Sequence, residues 1–250
     1  LSASQPEVNV RSELQPDNSL SIVADVKGHG TVTVVLELLS AENYSLEGAI
    51  PIRRELRNGT SEVVRLIPID PEKPVSADYD FNWVQGKVNP GIAAGFIYRL
   101  PFADGIATVP REVSTHEMRL TGRDFRDFKV WEFPLRKGDT VYPVRSGEVI
   151  RVEGFENIAG SNTMTGSPMN MIYIEHPDGM ISQYTMLDGA SLQVSEGQTV
   201  YPDTPLAKAG ALDLENYGMR LALYYMVPNN SGRRGGITRT AYFDPGFPGS

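Results

Sequence analysis

The 250-residue sequence has no cysteine and only three histidines, His29, His116 and His176. Without thiols, disulfide staples and thiolate metal sites are excluded, although cysteine usage alone does not identify a compartment. Basic residues are also in deficit: 23 Lys and Arg face 31 Asp and Glu, for a formal net charge of −8. With no basic stripe to meet phosphates, general nucleic-acid binding is excluded. The longest apolar runs, such as Thr31–Leu39, fall far short of the roughly 20 residues of a membrane-spanning helix, so no transmembrane segment is expected in this chain. No long stretch repeats its apolar residues with a helical period. The chain opens at Leu1 in a polar stretch, as expected of a processed export product or of a trimmed sequence.

What the sequence does contain is turns between short apolar runs, with 18 prolines and 24 glycines scattered through it. It reads as all-β. Residues 1–17 are polar and are expected to be mobile. Leu20, Ile22, Ala24 and Val26 alternate with polar residues, Lys27-Gly28-His29-Gly30 makes a turn, and Val32, Val34, Leu36 and Leu38 continue the alternation. That pattern predicts a hairpin. Asn58-Gly59 predicts a second one, from Ile52–Leu56 into Val63–Ile67. Further strands are expected at Tyr79–Val84 and Gly95–Leu100. Together they imply an N-terminal antiparallel β-sandwich over residues 1–108. Residues 109–130 are charged and read as a connector. The strand pattern then resumes over residues 131–228, and 229–250 reads as a C-terminal tail rich in Gly and Pro.

The second half carries an ordered series of short motifs. Gly138-Asp139-Thr140-Val141-Tyr142-Pro143-Val144 is followed by Ser146-Gly147-Glu148-Val149-Ile150. Next come Met171–Gly179, with Ile174-Glu175-His176-Pro177-Asp178-Gly179 at its end, and Ser182-Gln183-Tyr184-Thr185-Met186-Leu187. Val194–Val200 and Pro205–Gly210 complete the set, and Tyr98–Gly105 precedes it. Each is weak alone, but their order over about 95 residues resembles the lysostaphin/LytM-type zinc endopeptidases that cut bacterial cell walls. The resemblance covers roughly residues 96–228 and implies a LytM/lysostaphin-like (duplicated hybrid motif) β-domain.

In that family a catalytic zinc takes a His and an Asp from "H-x-x-x-D" and a His from a terminal "H-x-H" strand. The other His of that strand and the His of "Y-A-H-L" assist. Three protein ligands leave an open position for a water whose pKa falls to about 7. Carried over position by position, the resemblance places Phe128 and Glu132 at the first pair, Met186 at the "Y-A-H-L" His, and Arg220 and Ala222 at the terminal pair. Phe, Met and Ala do not hold zinc usefully, and a guanidinium repels it. The resemblance therefore implies a degenerate member, with no catalytic residues and no cofactor. His116 with Glu132 is the remaining candidate for a partial metal site, and His176 is expected to be a hairpin-turn residue. Glu132 and Arg220 carry opposite charges and are expected to pair.

The function implied is that of a noncatalytic, exported cell-envelope protein, in the periplasm or at the cell surface. Its partners would be peptidoglycan peptides or a cell-wall hydrolase, with Tyr184, Tyr224 and Tyr225 lining a groove. Two alternatives stand beside it: an active zinc endopeptidase with displaced ligands, and a structural surface module.

Overall fold

The computed structural model describes residues 5–46, 50–93, 95–113, 129–154 and 170–228, with the backbone alone of 238–243. These residues form strands, loops and one short 3-10 turn, Gly189–Ser191, so the fold is all-β. Two compact units are built, one on residues 5–88 and one on residues 89–226.

The first unit contains β1 (Glu7–Leu14), β2 (Leu20–Lys27), β3 (Val32–Glu42), β4 (Tyr44–Ser45), β5 (Ile52–Leu56), β6 (Gly59–Pro68) and β7 (Ser76–Gln85). They make two antiparallel sheets, ordered β1-β2-β6-β4 and β5-β3-β7. Ile22, Ala24 and Val26 of β2 share a core with Val32, Val34 and Leu36 of β3, as the inner faces of a sandwich do. Neither expected hairpin forms. β2 pairs with β1 and β6, whereas β3 pairs with β5 and β7. The Gly28–Gly30 turn carries the chain from one sheet to the other, and Asn58-Gly59 does the same between β5 and β6. Gly28 and Gly30 hold φ of +138° and +78°, values that suit glycine alone at such a sharp crossing.

The true hairpin of this unit lies in the stretch expected to be mobile. β1 pairs with β2 from Glu7↔Lys27 to Leu14↔Leu20. Val8 and Val10 pack against the core between outward polar neighbours, a short alternation that the polar composition of residues 1–17 conceals. The turn closes through the Gln15 amide donating to the Ser19 carbonyl at 2.8 Å, with Asn18 at φ 61°. The Asp17 carboxylate accepts from both the amide and the hydroxyl of Ser19 at 3.0 and 2.6 Å.

The second unit contains β8 (Arg111–Glu112), β9 (Trp131–Leu135), β10 (Thr140–Val141), β11 (Gly147–Glu153), β12 (Asn170–Glu175), β13 (Ile181–Leu187), β14 (Thr199–Val200), β15 (Ala207–Lys208), β16 (Gly210–Ala211) and β17 (Tyr217–Pro228). Its main sheet runs β14-β11-β12-β13-β17-β9-β8; β16 and β18 (Thr238–Phe243) pair with β17, and β10 pairs with β15. The core lies on one face of that sheet, where Trp131, Phe133, Ile172, Tyr184, Met219 and Leu221 meet.

Gly95–Leu100, expected as a strand, has no strand pairing. It belongs to a strap that packs with the second unit, although residues up to 108 were expected to close the first. Tyr98 and Phe102 enter the second unit's core, and their large apolar area explains the attachment. The Arg99 amide donates to the Val144 carbonyl and the Tyr142 amide to that of Pro101, at 3.0 and 2.9 Å. The Arg145 guanidinium lies 3.9 Å from the Phe96 ring centroid and pairs with Asp178, which also accepts from the Ala93 amide at 3.3 Å.

Candidate functional site

Strand register sets the site. On adjacent strands of the second sheet, Thr185, Arg220, Glu132 and Arg111 stand opposite one another in a row. They lie on the face away from the core, because Trp131, Phe133, Met219 and Leu221 take the alternate positions and point inward. Ala222, two residues beyond Arg220, shares that face and is buried against Val113 and Val130.

The expected pair is present, and it is a triad. Glu132 is a buried carboxylate, with its side chain 5% exposed. Arg220 reaches its Oε2 through Nε at 2.9 Å and Nη2 at 2.8 Å. Arg111 reaches Oε1 in the same two-pronged way, at 2.9 and 2.8 Å. A carboxylate removed from water is costly unless paired and hydrogen-bonded, and two guanidinium forks meet that demand on both oxygens. Arg111 had been read as part of a charged connector. The visible signal was its spacing from Val113, a polar–apolar alternation only three residues long.

Met186 occupies a β-bulge. Between Tyr184 and Leu187, β13 sets two residues against the single Met171 of β12, and Met186 adopts φ 62°. A bulge re-aims a side chain, and Met186 lines a hollow of about 410 Å³ with Lys208, Gly210 and Tyr217. A second hollow, of about 590 Å³, lies beside the Glu132 triad and shares Lys137 and Tyr217 with the first.

The three tyrosines expected to line one groove are not brought together. Tyr184 is fully buried on the core face, where its hydroxyl accepts the Val144 amide at 2.8 Å and burial pushes its phenol pKa up. Tyr225 packs against the same core. Tyr224 alone shares the face of Arg220, beside Ile150, Tyr173 and Ile181. The alternation along β17 separates Tyr224 from Tyr225, and the same alternation on β13 turns Tyr184 inward.

His176 sits in the turn between β12 and β13, its ring Nδ1 3.0 Å from the Ser146 carbonyl. Burial lowers its pKa to about 4. His116 and Phe128 lie outside the described residues. Among the described residues, no group of three His, Cys, Asp or Glu is placed to hold a metal ion. Also among them, no helix is long and apolar enough to cross a membrane.

Residues 129–233 match the model of peptidase family M23. No curated protein matches. Among solved structures, the chain is similar to a candidate glycyl-glycine endopeptidase, lytM, from Ruminococcus gnavus, at 14% identity and a TM-score of 0.38, over 58% of this chain and 57% of that one. A zinc-containing peptidase from Vibrio cholerae is 16% identical at a TM-score of 0.33, over 91% of this chain and 55% of that one. Csd3 from Helicobacter pylori is 10% identical at a TM-score of 0.33, covering 86% and 70%. The chain thus spans little more than half the length of the first two.

Proposed function

We propose that this is a noncatalytic, exported cell-envelope protein, a reading supported by the match of residues 129–233 to the model of peptidase family M23. Its peptidase-like domain binds peptidoglycan peptides or regulates a cell-wall hydrolase. The observation that carries this reading is the state of Glu132, whose two oxygens are each taken by a guanidinium. The family is a zinc family, and the described donors at the corresponding positions do not suit zinc. Glu132 is the one oxygen donor among them, and it is flanked by two cations at contact distance. Arg220, Ala222 and Met186 supply no ligand. A dication entering there would have to displace both arginines and stand beside them.

The hollow beside the triad supports a binding role. That hollow joins the charged groups of the Glu132 triad to Pro134, Leu212 and Tyr217, a mixed lining of the kind that ligand sites use. Three measurements test the reading. After incubation with excess Zn²⁺ and desalting, elemental analysis is expected to find far less than one equivalent of zinc. Cosedimentation with purified sacculi is expected to retain the protein, and release of muropeptides is expected to be absent. Stoichiometric zinc with cleavage of sacculi would overturn the proposal.

A further inference from the structure

The charge logic of the triad is the reverse of a metal site. Glu132 sets one negative charge against two guanidiniums. Arg220 spends Nε and Nη2 on the same carboxylate oxygen, and its Nη1 makes no hydrogen bond among the described residues. Its side chain is 18% exposed. A guanidinium so placed offers a fixed donor at low solvent competition, the arrangement that recognises oxyanions.

The hollow beside it has further basic groups on its rim, Arg136 and Lys137. The Lys137 ammonium stands 5.5 Å from the centroid of the Tyr217 ring, and both residues also line the adjoining hollow. Two acids, Asp213 and Glu215, also line the space. Asp213 is occupied within its own turn: it accepts from the Asn216 side chain and from the amides of Glu215 and Asn216, all at 2.9–3.0 Å. The Asn216 contacts, with those amides, hold its pKa below the usual carboxylate value. Asp213 keeps its charge, so three carboxylates, Glu132, Asp213 and Glu215, stand against the cations Arg111, Arg136, Lys137 and Arg220, a formal balance of one positive charge.

We infer that this hollow binds the free carboxylate of a peptide, with Arg220 Nη1 as the anchoring donor and Arg136 and Lys137 supplying the surrounding positive field. The inference rests on the reading of this domain as a peptide-binding module and adds the chemical group it selects. A peptide acid rather than a small anion fits the volume of about 590 Å³, and the hollow shares Lys137 and Tyr217 with a second one lined by Met186 and Leu187. The carboxylate would lie at the Arg220 end and the chain would run toward Met186.

The test is fluorescence anisotropy with dansyl-Gly-Ala-Ala as the free acid and as its C-terminal amide. The acid is expected to bind at least tenfold more tightly, and Arg220→Ala to abolish that difference. Glu132→Gln removes the competing negative charge, so it is expected to tighten the acid severalfold and leave the amide unchanged. If that variant does not fold, Arg136→Gln carries the test, with weaker binding of the acid alone. Equal affinity for acid and amide would overturn the inference, as would a folded Glu132→Gln that binds the acid less well. Parallel cosedimentation with sacculi separates the two claims. Retention without acid preference sinks the inference and spares the proposed function; acid preference without retention does the reverse.

Discussion

Removing Glu132 would strand two guanidiniums, one of them largely buried. Glu132→Ala is expected to cost about 3 kcal/mol, the lower end for breaking a buried ion pair, since Arg111 is half-exposed and can regain water. Urea unfolding of the single and double variants with Arg220→Met checks this, and the double variant should recover part of the loss. His176 sets a pH dependence. Its Nδ1–H donates to the Ser146 carbonyl and its Nε2 is buried, so the charged ring is disfavoured in the folded state. With a folded pKa of about 4 against 6.5 for a free imidazole, the unfolded chain binds more protons between those limits. Stability is therefore full above pH 6.5 and falls by about 3 kcal/mol as pH drops toward 4. Unfolding midpoints measured across that window should flatten in His176→Gln. At this scale the sequence was legible where the resemblance and charge agreed, as for Glu132 and Arg220, opposite charges at two positions where the resemblance sets metal ligands. It was not legible for Arg111, because a two-residue strand carries too short a period to announce itself.

Close backbone approach governs the strands around the site. A Cβ on Gly218 would stand 2.4 Å from the Phe133 carbonyl oxygen and 2.7 Å from a Leu212 methyl. Gly218→Ala is expected to cost about 3 kcal/mol, the upper range for overpacking, and to loosen the β9–β17 ladder that carries Glu132 and Arg220. Gly91→Ala, with nothing within 4 Å, should leave the urea midpoint unchanged. Elements were most readable where sequence neighbours are also sheet neighbours. β11, β12 and β13 form a continuous run in the sheet, so alternation and turn residues alone locate them. The first unit resisted the same reasoning. Its Gly and Asn-Gly turns look like hairpin turns in composition, yet each joins strands of opposite sheets, and nothing local distinguishes a strand's partner from the strand that follows it.

The two units have separate cores and, conveniently, one tryptophan each: Trp83 beside the first core and Trp131 within the second. Trp83→Phe and Trp131→Phe therefore leave single fluorescent reporters. Leu36→Ala, in a fully buried position of the first core, is expected to lower stability by about 2–5 kcal/mol in the transition seen by Trp83 and to leave that seen by Trp131 in place. Coincident shifts in both would mean that the units unfold as one. The sheet-to-sheet crossings also bear on how the first unit is made. Leu20 must find Leu66 and Val32 must find Gln85, so most of its pairing waits on closure of long loops. Such topologies fold in milliseconds to seconds rather than microseconds. During that interval the Val- and Leu-rich β3 stays uncovered, which makes it the segment of a newly made chain most in need of protection from its neighbours.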